Sequence, residues 1–144
     1  AFGIGSAREG RGNYSLIKTN RLMITGAVWA HNWTYYYNTP YACEISGFSA
    51  RGVSVWENLK SLQEFLRILF FSSPVYIVRA VLDEGNIAAR RMLKRAGFSH
   101  VEVQRAAYLR NNCEHTVIIM SMTRLEFENN CHPLAFCKNV FSKR

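Results

Sequence analysis

The stretch NIAARRMLKRAGF at residues 86–98 carries the clearest local signals in the chain. Asn86 is a helix N-cap residue type, whose side-chain oxygen accepts from a backbone N–H two or three positions on. Gly97 stands where a helix ends in the left-handed conformation that costs glycine little. Residues 87–95 between them read as one helix. Arg90, Arg91, Lys94 and Arg95 lie along its surface, where a solvated basic face is the common reading and a phosphate contact the alternative. Just upstream, Asp83 to Gly85 make a turn. Residues 75–82 form a nearly continuous apolar run interrupted by Arg79, the pattern of a largely buried strand.

Working outward, Val55, Leu59, Leu62, Phe65, Leu66 and Leu69 recur at three- and four-residue spacing opposite Glu57, Asn58, Lys60, Gln63 and Glu64. That is an amphipathic helix over 55–71, closed by Ser72, Ser73 and Pro74. Residues 42–49 read as a strand ending at Ala50, Arg51 and Gly52. Strand, helix and strand in this order imply a right-handed parallel crossover. Residues 14–17 and 22–30 suit two strands joined near Asn20. Residues 32–41, with three tyrosines and a turn signal at Asn38 to Pro40, read as a long hairpin loop. After Phe98, strands over 101–109 and 116–123 are joined by Asn111 and Asn112. The fold class is therefore mixed α/β.

A length of 144 residues allows one domain and no second one, and 49% hydrophobic residues with only 3 Pro exclude disordered and collagen-like chains. The expected division is an extension over 1–13, a core over 14–125 and a tail over 126–144. A net charge of +8 favours an acidic partner without naming one. Cys43, Cys113, Cys131 and Cys137 contain no C-x-x-C pair. This suits a reducing compartment such as the cytoplasm, and no charged start with an apolar run marks the chain for secretion. Cys131, His132 and Cys137 lack a second half-site for a metal, so none is expected. No apolar run approaches the roughly 20 residues needed to cross a bilayer. Cys43 and Cys113, with no histidine at a recognisable spacing, are expected to be buried packing residues rather than nucleophiles.

The 86–98 stretch resembles a motif of the GNAT superfamily of N-acetyltransferases: Asn, a small residue three later, an aliphatic, polar residues and Gly-Phe. Residues 75–82 take the place of that family's fifth strand and 55–71 that of its third helix. Arg105, Asn111, Asn112 and residues 117–124 are similar to its last hairpin in the branch that acetylates protein N-termini and ribosomal proteins. The resemblance spans about residues 42–125. The family opens with a strand and two helices, which the thirteen residues before Tyr14 cannot hold.

The resemblance implies acetyl coenzyme A as acyl donor and an amine, in that branch a protein amine, as acceptor. The turn after the 42–49 strand would hold the pyrophosphate. Free N–H groups and the positive end of a helix suit it, and Phe48, Ser49, Arg51, Gly52, Val53 and Ser54 are the residues in place. Of the family's three marked turn positions, Gly52 matches, while Ser49 and Ser54 depart. Asn86 and Ala89 would contact the cofactor, Asn86 also serving as N-cap. Glu44 is similar in place to the family's general base, and burial in an apolar strand would raise its pKa; the alternative is a side chain turned outward. Leu93 stands where many members carry an acidic tyrosine, so Tyr108 is the candidate stand-in. The competing reading is a module that keeps the fold as scaffold in a larger assembly such as a virion or ribonucleoprotein. There it would dock through a tail bearing Phe127, Phe136, Phe141, Lys143 and Arg144, for which a packed C-terminal extension is the alternative.

Overall fold

Alternating side chains along a strand point to opposite faces, and here the alternation sorts one sheet into an apolar face and a mixed one. The computed structural model describes residues 2–4, 7–8, 11–12, 14–20 and 23–131. Nine strands are described: β1 (Phe2–Ile4), β2 (Ala7–Arg8), β3 (Arg11–Gly12), β4 (Ser15–Asn20), β5 (Met23–Tyr36), β6 (Thr39–Ser49), β7 (Ile77–Asp83), β8 (His100–Arg110) and β9 (Cys113–Thr123). Helix α1 (Val55–Ser72) lies between β6 and β7, and α2 (Ile87–Ala96) between β7 and β8; a short α3 (Arg124–Glu126) follows β9. Seven strands pair in the order β1-β4-β5-β6-β7-β9-β8, and β2 with β3 makes a separate pair. Every pairing is antiparallel except β6 with β7, which α1 connects as a parallel crossover.

The apolar face is the one the helices cover. Leu16, Ala30, Cys43, Ile45, Val78, Ala80, Ile118, Met120 and Met122 bury against Leu59, Leu62, Phe65, Leu66, Leu69 and Phe70 of α1 and Leu93 and Ala96 of α2. Both helices end as their sequences dictate. Ser54 caps α1 by accepting from the Glu57 N–H, and Asn86 caps α2 by accepting from the Ala89 N–H at 3.2 Å. Gly97 closes α2 at φ 107°. Arg124 fastens the far end of α1. Its guanidinium donates to the carbonyls of Ser73 and Val75, each at 2.7 Å, and to that of Phe70, whose ring it also overlies.

Four expectations change. Residues 32–41 are not a long loop: β5 and β6 run on to Tyr36 and from Thr39, joined by a tight turn in which Tyr37 and Asn38 take φ 48° and 64°. Aromatic and β-branched residues favour the extended pairing, and two consecutive left-handed residues give the turn that matches strand twist. Strand β7 is covered on one face only, since Val81 is exposed and Arg79 half-buried. Cys113 is exposed at the tip of the β8–β9 hairpin, where nothing packs over it, while Cys43 is buried as expected. The core also extends past residue 125, because Phe127 is buried and stacks on Phe70 at 4.9 Å. Phe136, Phe141, Lys143, Arg144 and the side chains of Cys131, His132 and Cys137 lie outside the described residues. Strand β1 pairs with β4 ahead of the core, and no helix precedes β4 among the described residues. No helix there is long and apolar enough to cross a membrane.

Arg124→Met keeps most of the apolar stem but strips three carbonyls, two at or beyond the α1 C-terminus, of a charged donor. We expect urea unfolding to show a loss of about 2–4 kcal/mol, with Arg124→Lys recovering less than half, because one ammonium cannot reproduce the planar fork.

Candidate functional site

Strands β6 and β7 pair only from Ala42 with Ile77 to Ile45 with Ala80. Beyond that point β6 stays with β5 as far as Ser49, and β7 stays with β9 as far as Asp83. Each strand follows its outer neighbour, and the sheet opens between them. The opening is a cleft of about 600 Å³, lined on the β6 side by Ser46, Gly47, Phe48 and Ser49, on the β7 side by Val81, Leu82 and Asp83, and below by Asn86, Ala89, Met92 and Leu93 of α2 and Asn58 and Ser61 of α1. The parallel ladder ends at its mouth, so backbone donors and acceptors of the two diverging edges face an opening instead of each other.

The β6–α1 connection closes one end. Gly52 has φ 87°, a conformation that strains any residue with a Cβ, and no atom lies within 4 Å of where that Cβ would stand. Ser54 satisfies the Glu57 N–H with its hydroxyl and the Asn58 N–H with its carbonyl, leaving the N–H groups of Val55 and Trp56 without an intrahelical acceptor. Asn58 donates to the Ser49 hydroxyl at 3.0 Å, tying the strand end to the helix. Gly47 is required for another reason, since a Cβ there would stand 2.7 Å from the Ala27 carbonyl oxygen and push β5 away from the cleft.

The sequence-derived residues divide into two groups. Phe48, Ser49, Asn86 and Ala89 line the cleft, and Arg51, Gly52, Val53 and Ser54 form the turn between two of its lining residues, Ser49 and Val55. Glu44 does not line it. Glu44 is a half-buried residue on the sheet face that the helices leave open, and Asn32 donates to its Oε2 at 2.9 Å in an exposed hydrogen bond. Asn32 can reach because β5 bulges between His31 and Thr34, with Asn32 at φ 50°. Tyr108 also stands off the cleft but donates its hydroxyl to Asp83, which lines it. The hydrogen bond to Asp83 raises the tyrosine pKa above its ordinary value, with smaller contributions from desolvation and from the Asp83 charge, against the opposing charge of Arg110. The ring stacks flat on His115 at 4.9 Å. Burial pushes the Cys43 thiol up to about 12, which removes it as a nucleophile.

Sequence reasoning missed Ser46, Asn58, Asp83 and His31. Ser46 lines the cleft and sits 2.6 Å from the His31 imidazole. Ser46 was within reach, two positions beyond Glu44 on the same face of one strand. His31 was not, because its place depends on a β5–β6 pairing that the tyrosine-rich stretch obscured.

No protein-family model and no curated protein sequence matches the chain. Solved structures do match. A ribosomal-protein-alanine N-acetyltransferase from Brucella melitensis superposes with TM-score 0.68 at 13% identity over 77% of this chain and 68% of its own. An acetyltransferase of the GNAT family from Streptococcus pneumoniae superposes with TM-score 0.68 at 16% identity over 77% and 67%. The fold is that of the GNAT acetyltransferases. A third structure, that of the acetyltransferase yncA from Salmonella typhimurium with its cofactor acetyl-CoA, matches with TM-score 0.63 at 16% identity over 77% and 64%.

Asp83→Asn removes the charge that keeps the Tyr108 proton in place. Spectrophotometric titration should show the Tyr108 ionisation falling back toward the ordinary value near 10. The same titration with Tyr108→Phe identifies which transition belongs to it, and an unmoved transition would show that the bond does not hold in solution.

Proposed function

We propose that the chain is an acyl-CoA-dependent N-acetyltransferase that transfers an acetyl group from acetyl-CoA to an amine. The observation that carries the reading is the divergence of β6 from β7 beyond Ile45 and Ala80, with a glycine turn and a helix N-terminus at one end of the gap. A cleft of this volume with two unpaired strand edges suits an extended amide-bearing chain, which hydrogen-bonds as an inserted strand would. The turn at Arg51, Gly52, Val53 and Ser54 suits the pyrophosphate, since the first-turn N–H groups of α1 and the Arg51 charge favour an anion and Gly52 leaves the approach open. Asn86 and Ala89 bound the other wall.

When bound, acetyl-CoA supplies the acyl group as a thioester. The amine nitrogen bonds to the thioester carbonyl carbon, the C–S bond breaks with its electron pair on sulfur, and the amine proton passes to Glu44. Glu44 suits the base role because it stands on the open face, one residue short of the last pair in the parallel ladder, with Asn32 fixing one oxygen and leaving the other to accept. Unpaired β6 backbone N–H groups at the mouth of the gap suit the developing oxyanion. Tyr108, held protonated by Asp83 beside the cleft, is the candidate donor to the departing thiolate.

Thiol release from acetyl-CoA, followed over a panel of free amino acids, simple amines and short peptides, tests the reading. Amine-dependent release is expected from the wild-type chain. Glu44→Gln should lower turnover by roughly 10²-fold while acetyl-CoA still binds. No amine-dependent release from a folded chain would contradict the activity, and unchanged turnover in Glu44→Gln would take the base role from Glu44.

A further inference from the structure

The strand registers place one residue from each of five strands in a single row across the sheet: His31 of β5 opposite Glu44 of β6, Glu44 opposite Arg79 of β7, Arg79 opposite Ser121 of β9, and Ser121 opposite His100 of β8. Residues directly opposite across neighbouring strands share a face, so the row lies on the face without helices. Its neighbours on that face toward the cleft are Trp29, Ser46, Val81, Ile119 and Glu102, of which Ser46 and Val81 line the cleft. The row therefore runs past the open mouth of the gap, about 7 Å down the strands from it.

Within the row the charges do not cancel. Asn32 holds the Glu44 carboxylate from the β5 side, away from β7. Arg79 forms no ion pair among the described residues although it is half-buried in the middle of the sheet. The Arg79 fork, directly opposite Glu44 but not paired with it, is available to a carboxylate from outside. Arg is also the side chain whose planar fork matches a carboxylate with two parallel hydrogen bonds.

We propose that the acceptor is a free α-amino acid, its amine beside Glu44 and its carboxylate on Arg79. The inference rests on the acetyl-transfer reading and narrows its acceptor. Glu44 and Arg79 stand on adjacent strands about 4.8 Å apart, a separation that suits an amine and a carboxylate on one carbon, held by side chains of different length. A peptide N-terminus carries the amine without the neighbouring carboxylate and leaves Arg79 unpaired.

Acetyl transfer is measured with phenylalanine against phenethylamine and leucine against isoamylamine, with a Phe-Leu-Ala amide as the peptide arm. The wild-type chain should prefer each amino acid over its decarboxylated partner by tenfold or more in kcat/KM. Arg79→Gln should erase that preference by raising KM for the amino acids while leaving kcat within about threefold, and Arg79→Lys should restore part of it. Both variants should bind acetyl-CoA as the wild type does, and Arg79→Gln should melt no lower, because an unpaired charge is removed. Equal use of the decarboxylated amines, preference for the peptide amide, or a preference that survives Arg79→Gln would overturn the inference while the transferase reading stands. A wild-type chain that binds acetyl-CoA and acetylates none of the panel would overturn it too, and one that binds no acetyl-CoA would overturn both.

Discussion

The structure depends on a competition between strand pairings that each side wins locally. Beyond Ile45, β6 keeps its antiparallel bonds to β5, and beyond Ala80, β7 keeps its antiparallel bonds to β9. Four parallel pairs hold the halves together, and after them the sheet parts. A gap in the middle of a sheet is costly unless its backbone groups find partners, so the fold carries a built-in demand for an extended, hydrogen-bonding occupant. The rest of the molecule supports that geometry. Helix α1 leaves the end of β6 with its N-terminus at the gap, α2 begins just past the end of β7, and residues of both helices line the cleft.

The two faces of the sheet do different work. Below it, α1 and α2 bury an apolar layer that sets stability, with Cys43 absorbed as a packing residue. Above it, His31, Glu44, Ser46 and Arg79 lie where the described residues offer no helix to cover them. The gap joins the faces, so a donor bound from below and an acceptor held above would meet at the mouth of the cleft. Asp83 lines the β7 side of the gap and accepts from Tyr108 beside it, which raises the tyrosine pKa.

Much of this was legible in the chain. Asn86, Gly97 and the Gly52 turn are local signals, read from residue types whose backbone preferences decide the conformation. The apolar spacing of α1 marks its buried face from Leu59 to Leu69, while Val55 at the helix start is exposed. Pairing is different, because no residue type announces which strand it will lie beside. The Asn32 bulge and the Tyr37 to Asn38 turn read as loop when taken alone, yet they let β5 and β6 run long and bring His31 and Asn32 to Glu44. Arg79 likewise looked like an interruption in a buried strand, and only the registers show it in a row with Glu44.

The central claim is that the gap between β6 and β7 holds acetyl-CoA, and a thermal-shift titration with acetyl-CoA, free CoA and ATP as polyphosphate control tests it most directly. At 100 times its dissociation constant a specific ligand stabilises the fold by about 2.7 kcal/mol. The account requires a saturable shift with both CoA compounds, none comparable with ATP, and its loss in Gly52→Val, where φ 87° strains a β-branched residue and its side chain would fill the approach that Gly52 leaves open. A folded chain that shifts with neither CoA compound, or equally with ATP, would contradict it.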